Sequence, residues 1–123
     1  MLKEFKVLII EDEILIARSL YADLKDFGIE VLEPISNGEQ AVEVALQEIP
    51  DLILMDIRLA GEMDGIETAS RIQKFKNIAV IFMSGYATEV IKEKSKAVNN
   101  IGLFEKPVNI DQLKTVIADL NEH

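Results

Sequence analysis

The stretch Asp51-Leu52-Ile53-Leu54-Met55-Asp56 sets four consecutive apolar residues between two aspartates. An apolar run of this length is typical of a β-strand that is buried on both faces, as the strands of a parallel sheet are. Four further runs of strand length are largely apolar, and they are Val7–Ile10, Val31–Ile35, Ile78–Met83 and Leu103–Phe104. The sequence therefore predicts five strands.

Between these runs, apolar residues recur every three or four positions, which is the spacing of one face of a helix. The five stripes are Ile14, Ala17, Tyr21, Leu24 and Phe27; Ala41, Val44, Ala45 and Ile49; Ile66, Ala69 and Ile72; Val90, Ile91 and Ala97; and Ile110, Leu113, Ile117 and Leu120. Strands that alternate with helices predict an α/β fold, in which a parallel sheet is covered by helices on both faces.

Two prolines help to order the strands. Pro34 lies inside the second run, and proline in a sheet is typical of an edge strand. The fifth run is short and is followed by Lys106-Pro107, for which we expect a cis peptide bond. Placing strands 2 and 5 at the edges favours the doubly wound order 2-1-3-4-5 of flavodoxin-like proteins.

Two helix ends can also be predicted. Gly28 predicts the end of the first helix, and Ser36 with Glu39 predicts a capping box at the start of the second.

Length and composition exclude several classes of protein. The 123 residues suit a single domain spanning positions 1–123, with no effector domain after it. Cysteine is absent and the single histidine is His123, which excludes disulfides, thiolate nucleophiles, Ser-His-Asp relays and Cys/His zinc sites. The 13 basic and 22 acidic residues give a net charge of −9, which opposes direct nucleic-acid binding. Because no export signal or membrane-length apolar run is present, we expect a cytoplasmic protein that does not bind a membrane.

Polar residues follow four of the five runs. Glu11 and Asp12 follow the first, Asp56 ends the third, Ser84 follows the fourth and Lys106 follows the fifth. Taken singly, each has an ordinary explanation as a helix cap, a dipole partner or a solvated lysine. Together they share the carboxyl edge of the sheet, where open parallel sheets bind their ligands. Folding requires no such cluster, and repulsion among the carboxylates opposes it.

The charges of this cluster favour a divalent cation. Glu11, Asp12 and Asp56 contribute −3, and Lys106 brings the sum to −2. Oxygen ligands without nitrogen or sulfur donors favour Mg²⁺ over a transition metal. Without a cation, repulsion should raise the pKa of at least one carboxyl group. A metal-bound aspartate beside a lysine and a hydroxyl suits phosphoryl transfer, with the carboxylate as the nucleophile.

Five strings in this sequence resemble the receiver domain of two-component response regulators. They occur in the family's order over essentially the whole chain, and they are Ile9-Ile10-Glu11-Asp12-Glu13, Asp51 to Arg58, Met63-Asp64-Gly65-Ile66-Glu67, Met83-Ser84-Gly85-Tyr86 and Glu105-Lys106-Pro107. The resemblance implies a phosphoacceptor protein that assists its own phosphorylation and dephosphorylation rather than a turnover enzyme. It also implies a histidine kinase or histidine phosphotransfer protein as phosphodonor, a downstream protein effector, and a monomer or weak dimer.

The resemblance also assigns residues to roles in Mg²⁺ binding. It implies that Asp56 is the phosphoacceptor and that Asp12 binds the metal directly. Glu11 would bind it directly or through water, and the backbone carbonyl of Arg58 would complete the ligand set.

Other positions correspond to the family's switch. Ser84 matches the hydroxyl that turns toward the phosphoryl group, and Lys106 matches the lysine that pairs with a phosphoryl oxygen. The output surface would be helix 4, strand 5 and helix 5, from about Thr88 to Leu120. Leu103 stands where the family usually has an aromatic switch residue. Tyr86 is the nearby aromatic, and we expect it to screen the phosphoryl group from water.

Three other functions fit this sequence less well. A Mg-dependent aspartyl-phosphate phosphatase of similar architecture would need a second aspartate where Arg58 stands. A flavin carrier would need a phosphate-binding loop where Glu11, Asp12 and Glu13 stand. A docking-only pseudo-receiver would not need the acidic pair, Asp56 and Lys106. A receiver domain from a hybrid histidine kinase or a larger regulator remains an open alternative of the same class.

Overall fold

A computed structural model describes residues 4–122 of the chain. One parallel sheet contains the strands β1 (Lys6–Ile10), β2 (Glu30–Val31), β3 (Leu52–Asp56), β4 (Ala79–Ser84) and β5 (Gly102–Glu105). Their order is β2-β1-β3-β4-β5, which confirms the predicted topology and the edge positions of strands 2 and 5.

Five helices cover the two faces of this sheet, and they are α1 (Ile14–Asp26), α2 (Gly38–Glu48), α3 (Gly65–Gln73), α4 (Glu89–Lys96) and α5 (Ile110–Glu122). The side chains of β3 alternate between two core clusters. Ile53 and Met55 pack with α2, α3 and α4, whereas Leu52 and Leu54 pack with α1 and α5. All residues of β3 are buried, as the apolar run at positions 52–55 predicts.

The second strand differs from its prediction. The run Val31–Ile35 was predicted as one strand, but β2 covers only Glu30–Val31, and Ile35 forms a separate bridge with Ile10. Val7 pairs with Val31, and Ile10 pairs with Ile35. Three residue steps along β1 therefore correspond to four residue steps along this segment. The extra residue falls in the stretch that contains Pro34, which has no N–H to donate to β1. The edge position is therefore correct, but the pairing is interrupted.

The structure confirms the predicted end of the first helix and corrects the predicted start of the second. Gly28 follows α1 with φ of 93°, as a residue that ends a helix in the left-handed region does. The predicted capping box at Ser36 is wrong, because the side chain of Asn37 caps α2 by accepting from the Gln40 N–H at 2.8 Å.

Two other local predictions have opposite outcomes. Ile14 is predicted on the buried stripe of α1 but is 73% exposed. The Lys106–Pro107 peptide bond is cis, as predicted.

Candidate functional site

The carboxyl ends of β1, β3 and β5 bring Glu11, Asp56 and Lys106 together. The ammonium nitrogen of Lys106 lies 2.7 Å from Glu11 Oε1 and 3.0 Å from Asp56 Oδ2. Both carboxylates are only 2% exposed as whole residues. Because a buried charge is costly unless it is paired, this lysine is what allows two carboxylates to lie inside the same site.

Backbone N–H groups orient the two buried carboxylates. The N–H of Arg58 donates to Asp56 Oδ1 at 3.2 Å, and the N–H of Glu13 donates to Glu11 Oε2 at 3.1 Å. Each carboxylate is therefore held on one oxygen by the chain two residues further on, and it faces Lys106 with the other. The Arg58 contact involves only the backbone, so it fixes Asp56 without using the guanidinium.

The acidic cluster fits a hard divalent cation. Glu11, Asp12 and Asp56 each offer an oxygen atom, and these oxygens lie within 4.8 Å of one another. Asp12 is exposed while the other two are buried, so the cluster opens toward solvent on one side. Glu11 Oε1 is buried, and the ammonium nitrogen of Lys106 lies 2.7 Å from it. An all-oxygen donor set with a buried acceptor that can take another partner suits Mg²⁺.

The pKa of Glu11 is raised to about 7. Burial is the largest cause, and the adjacent Asp56 carboxyl adds to it, while Lys106 and the Glu13 N–H act in the opposite direction. The prediction that one carboxyl pKa is raised is confirmed, but desolvation outweighs the expected charge repulsion. Burial also lowers the pKa of Lys106, but its contacts with Glu11 and Asp56 outweigh burial and raise that pKa overall.

Ser84 is near the site but is engaged within its own loop. Its hydroxyl donates to the carbonyl oxygen of Tyr86 at 2.9 Å and accepts from the Tyr86 N–H at 3.1 Å. The ring of Tyr86 is exposed, and the guanidinium carbon of Arg58 lies 5.8 Å from its centre. Arg58 and Tyr86 therefore form a cation–π pair at the rim of the site.

Leu103 lies away from this rim. It packs against the core cluster of α2, α3 and α4, whereas its neighbour Phe104 packs against the cluster of α1 and α5. These two residues therefore point to opposite faces of β5, as neighbouring side chains of a strand do.

Sequence reasoning missed the apolar wall of the site. A cleft of about 720 Å³ extends from Asp56 between α1 and the segment after β5. Its apolar lining comprises Leu15, Ile16, Leu20, Pro107, Val108 and Ile110. Leu15 is 83% exposed at the start of α1. One feature of the sequence could have indicated this wall. Ile14, Leu15 and Ile16 are three consecutive apolar residues, and three consecutive residues cannot all lie on one buried face of a helix.

Comparison with known proteins identifies related domains. A family model described as the response regulator receiver domain matches residues 7–118. Sporulation initiation phosphotransferase F of Bacillus subtilis is 33% identical over 113 residues, which cover 91% of this chain and 90% of that protein. The transcriptional regulatory protein PdtaR of Mycobacterium tuberculosis is 31% identical over 108 residues, which cover 88% of this chain but only 52% of that protein.

Solved structures agree with these sequence matches. The signal receiver domain of a modulated diguanylate cyclase from Desulfovibrio desulfuricans G20 has a TM-score of 0.90 and 37% identity, with 98% of this chain and 95% of that chain covered. A CheY-like receiver domain protein from Methanospirillum hungatei JF-1 has a TM-score of 0.87 and 27% identity, with 98% and 96% covered. Within residues 4–122, no helix has both the length and the apolar character needed to cross a membrane.

Proposed function

The chain belongs to the response regulator receiver domain family of two-component systems, and from this premise we propose that Asp56 is its phosphoacceptor. The observation that carries the proposal is the setting of Asp56. It is a buried carboxylate at the end of a central strand, it contacts Lys106 through one oxygen and a backbone N–H through the other, and it lines an open cleft.

Four groups would hold Mg²⁺ in this site. They are the carboxylates of Glu11, Asp12 and Asp56 and the backbone carbonyl of Arg58. Support comes from the clustering of the three carboxylates, whose oxygens lie within 4.8 Å of one another and of which two are buried. When bound, the cation supplies positive charge that offsets the carboxylates and the oxygens of the transferring phosphoryl group. Metal binding should favour the ionised form of Glu11, whose pKa is raised in the absence of metal.

The reaction we propose is transfer from a phosphohistidine. An oxygen of Asp56 bonds to phosphorus as the nitrogen–phosphorus bond of the donor breaks, and the electron pair returns to the imidazole, which takes a proton from solvent. Lys106, already 3.0 Å from Asp56, is positioned to pair with a phosphoryl oxygen as negative charge moves onto the group. We propose a histidine kinase or histidine phosphotransfer protein as the source of the donor histidine, since receiver domains interact with these proteins.

Receiver domains interact with histidine kinases or phosphotransfer proteins, and we propose the apolar cleft as the place where such a partner docks. Ile14 and Leu15 are 73% and 83% exposed at the start of α1, beside Asp12 and Glu13. Exposed apolar side chains at the rim of a polar site are typical of protein interfaces. A partner helix lying along α1 would bring its histidine toward Asp56.

Ser84 would respond to the new charge. Phosphorylation replaces a single carboxylate charge by roughly two. For its hydroxyl to donate to a phosphoryl oxygen, Ser84 must give up the hydrogen bond that it donates to the Tyr86 carbonyl oxygen. The loop after β4 then changes its internal bonding, and we propose that α4, β5 and α5 carry this change to a downstream protein.

The test is incubation with acetyl phosphate and Mg²⁺, followed by intact mass measurement. We expect one phosphoryl group on the wild-type chain, none on Asp56→Asn, and none in excess chelator. Asp26→Asn, an exposed aspartate at the end of α1, is the matched control and should be labelled as the wild type is. Full labelling of Asp56→Asn, or undiminished labelling in chelator, would show that another group accepts the phosphoryl group.

A further inference from the structure

The first residue of α3 packs directly against the backbone of Asp56. Gly65 is buried, and a Cβ atom built on it would lie 2.0 Å from the Asp56 carbonyl oxygen. The same Cβ would lie 2.9 Å from the carbonyl carbon of Asp56 and 2.9 Å from the Cα of Ile57. All three atoms belong to the backbone, so no rotation of a side chain can relieve the overlap. Position 65 therefore tolerates a side chain only if β3 and α3 move apart.

A short hydrogen bond closes the loop between these elements. The N–H of Gly65 donates to the carbonyl oxygen of Ile57 at 2.7 Å. Asp64 caps α3 by accepting from the Glu67 N–H at 2.8 Å, which fixes the orientation of the helix start. The loop from Arg58 to Asp64 thus leaves β3 and returns to the residue that follows Asp56. Arg58 is the first residue of that loop, and its N–H holds Asp56 Oδ1.

We propose that Gly65 is a positioning residue for the phosphoacceptor site. By lacking a Cβ, it lets α3 seat against the Asp56 carbonyl and hold both the Asp56 carboxylate and the Arg58 carbonyl in place for metal and phosphoryl binding. This role rests on the proposed function of Asp56. The inference goes beyond that function because Gly65 has no side chain and would act only through its close approach to the backbone of Asp56 and Ile57.

The expected size of the effect follows from the geometry. Cβ atoms in proteins essentially never approach another heavy atom closer than 3.0 Å, so the 2.0 Å contact in Gly65→Ala must open by about 1 Å. A displacement of about 1 Å at a reacting group can cost about 100-fold in rate. Loss of a group that orients metal ligands typically costs about 10- to 100-fold in metal affinity.

Gly38 provides a matched control on the other side of the same loop. A Cβ at Gly38 would lie 2.3 Å from Thr68 Oγ1 and 3.0 Å from Met63 Cε. These are side-chain atoms of Thr68 on α3 and of Met63 in the loop before it, and none of the three atoms nearest this Cβ belongs to the backbone of Asp56. Gly38→Ala therefore also crowds the start of a helix, but it should lower stability without displacing the phosphoacceptor.

The experiment compares wild type, Gly65→Ala and Gly38→Ala by thermal unfolding, by Mg²⁺ titration calorimetry and by the rate of labelling with acetyl phosphate. For Gly65→Ala we expect at least about tenfold weaker Mg²⁺ binding and about 100-fold slower labelling at saturating Mg²⁺. Gly38→Ala should melt at a lower temperature and change neither quantity more than about twofold. If folded Gly65→Ala binds Mg²⁺ and is labelled as the wild type is, or if Gly38→Ala loses Mg²⁺ affinity equally, Gly65 has only a packing role.

Amide hydrogen exchange of the wild-type chain decides the question if Gly65→Ala does not fold. When local opening of the loop breaks the metal site, Mg²⁺ at ten times its dissociation constant should slow exchange of the Gly65 amide about tenfold. The amide of Ile49, which donates to Ala45 at the far end of α2, should be unaffected. Unchanged exchange at Gly65 would overturn the proposal. If the wild type binds Mg²⁺ but is not labelled, the phosphoacceptor function fails, while the Mg²⁺ affinities still test Gly65.

Discussion

The end of β3 and the end of β4 face the same site but are held in different ways. Asp56 is buried and fixed by Lys106, by the Arg58 N–H and by the seat that Gly65 provides for its carbonyl. Ser84 is also buried, but its hydroxyl bonds only to the backbone of Tyr86, two residues further on. Both side chains therefore have a local bond, but only the proposed phosphoacceptor among the two also has contacts from distant parts of the chain, with Lys106 and with α3.

This difference indicates how the receiver divides its work. A reacting group gains from a fixed position, because it must meet the phosphorus atom in one geometry. A switch gains from bonds that can be exchanged at small cost, because only a few kcal/mol separate its two states. Changes near Asp56 should therefore alter the chemistry strongly, and changes near Ser84 and β5 should alter lifetime and output more weakly.

The largest effect is expected from Lys106→Met, which removes the cation from between Glu11 and Asp56. Two buried carboxylates then lack a counter-ion, and the phosphoryl oxygens lose their ammonium partner. The rate of labelling with acetyl phosphate should fall by about 10²- to 10³-fold, as when an oxyanion donor is removed. Lys114→Met, at a lysine on α5 that stacks on Phe27, is the control and should keep the wild-type rate. A fall of less than about threefold for Lys106→Met would mean that the lysine is not part of the chemistry.

The next effect is a pH dependence of stability that originates at Glu11. Its pKa is raised from 4.5 to about 7 in the folded protein, so between these values the folded state binds more protons than the unfolded state. Without metal, the free energy of unfolding should therefore fall as pH rises from about 5 to 8, by at most about 3 kcal/mol. Chemical denaturation across this range measures it. Glu11→Gln should flatten the profile, and Mg²⁺ should reduce the fall by favouring the carboxylate. An equally steep profile in Glu11→Gln would assign the effect to another group.

A smaller effect is expected at the rim of the site. Tyr86→Ala removes the ring that stacks with Arg58 and leaves Asp56 more open to water. An exposed cation–π pair contributes about 0.5–1 kcal/mol, so loss of phosphate should speed up by about two- to fivefold. Phe75→Ala, an equally exposed aromatic after α3, serves as control. An unchanged lifetime would mean that Tyr86 does not shield the phosphoryl group.

Leu103→Tyr should have the smallest effect on the chemistry, but it should change how α4 and α5 respond to phosphorylation. Leucine gives β5 little preference between two side-chain positions, since it has no polar tip. Tyrosine should leave the rate of phosphate loss within about twofold, because Leu103 is half-buried against the core and does not line the cleft. It should enlarge the amide shift changes in α4 and α5 on phosphorylation. If the shifts do not grow, the coupling takes another route.

The fold was predictable from sequence because its signals are local and repeated. The unbroken apolar run before Asp56 marks a strand buried on both faces, and Pro34 marks an edge. Asp56 and Lys106 were predictable as site residues because parallel strands end at the same edge of a sheet. The interrupted pairing of β2 was not predictable from sequence. It depends on one extra residue in the segment Val31–Ile35 relative to β1, and this relation between two segments cannot be seen in either segment alone.

Other features of the site depend on three-dimensional packing. The cause of the raised pKa of Glu11 is burial, which cannot be read from the spacing of charges. Gly65 belongs to one of the sequence strings that resemble the receiver family. Its proposed positioning role, however, follows only from the close approach of α3 to the Asp56 carbonyl. Ile14 fits the helical spacing of α1 but is exposed and belongs to neither core cluster, which the spacing alone does not reveal.

The most direct test of the central claim locates the phosphoryl group chemically. Wild-type chain labelled with acetyl phosphate and Mg²⁺ is treated with borohydride, which reduces an aspartyl phosphate to homoserine, and is then digested and sequenced by mass spectrometry. The fixed geometry at the end of β3 predicts homoserine at position 56, absent when Mg²⁺ is omitted. Homoserine at position 12 instead, or label that survives borohydride, would contradict the assignment of Asp56 as the phosphoacceptor.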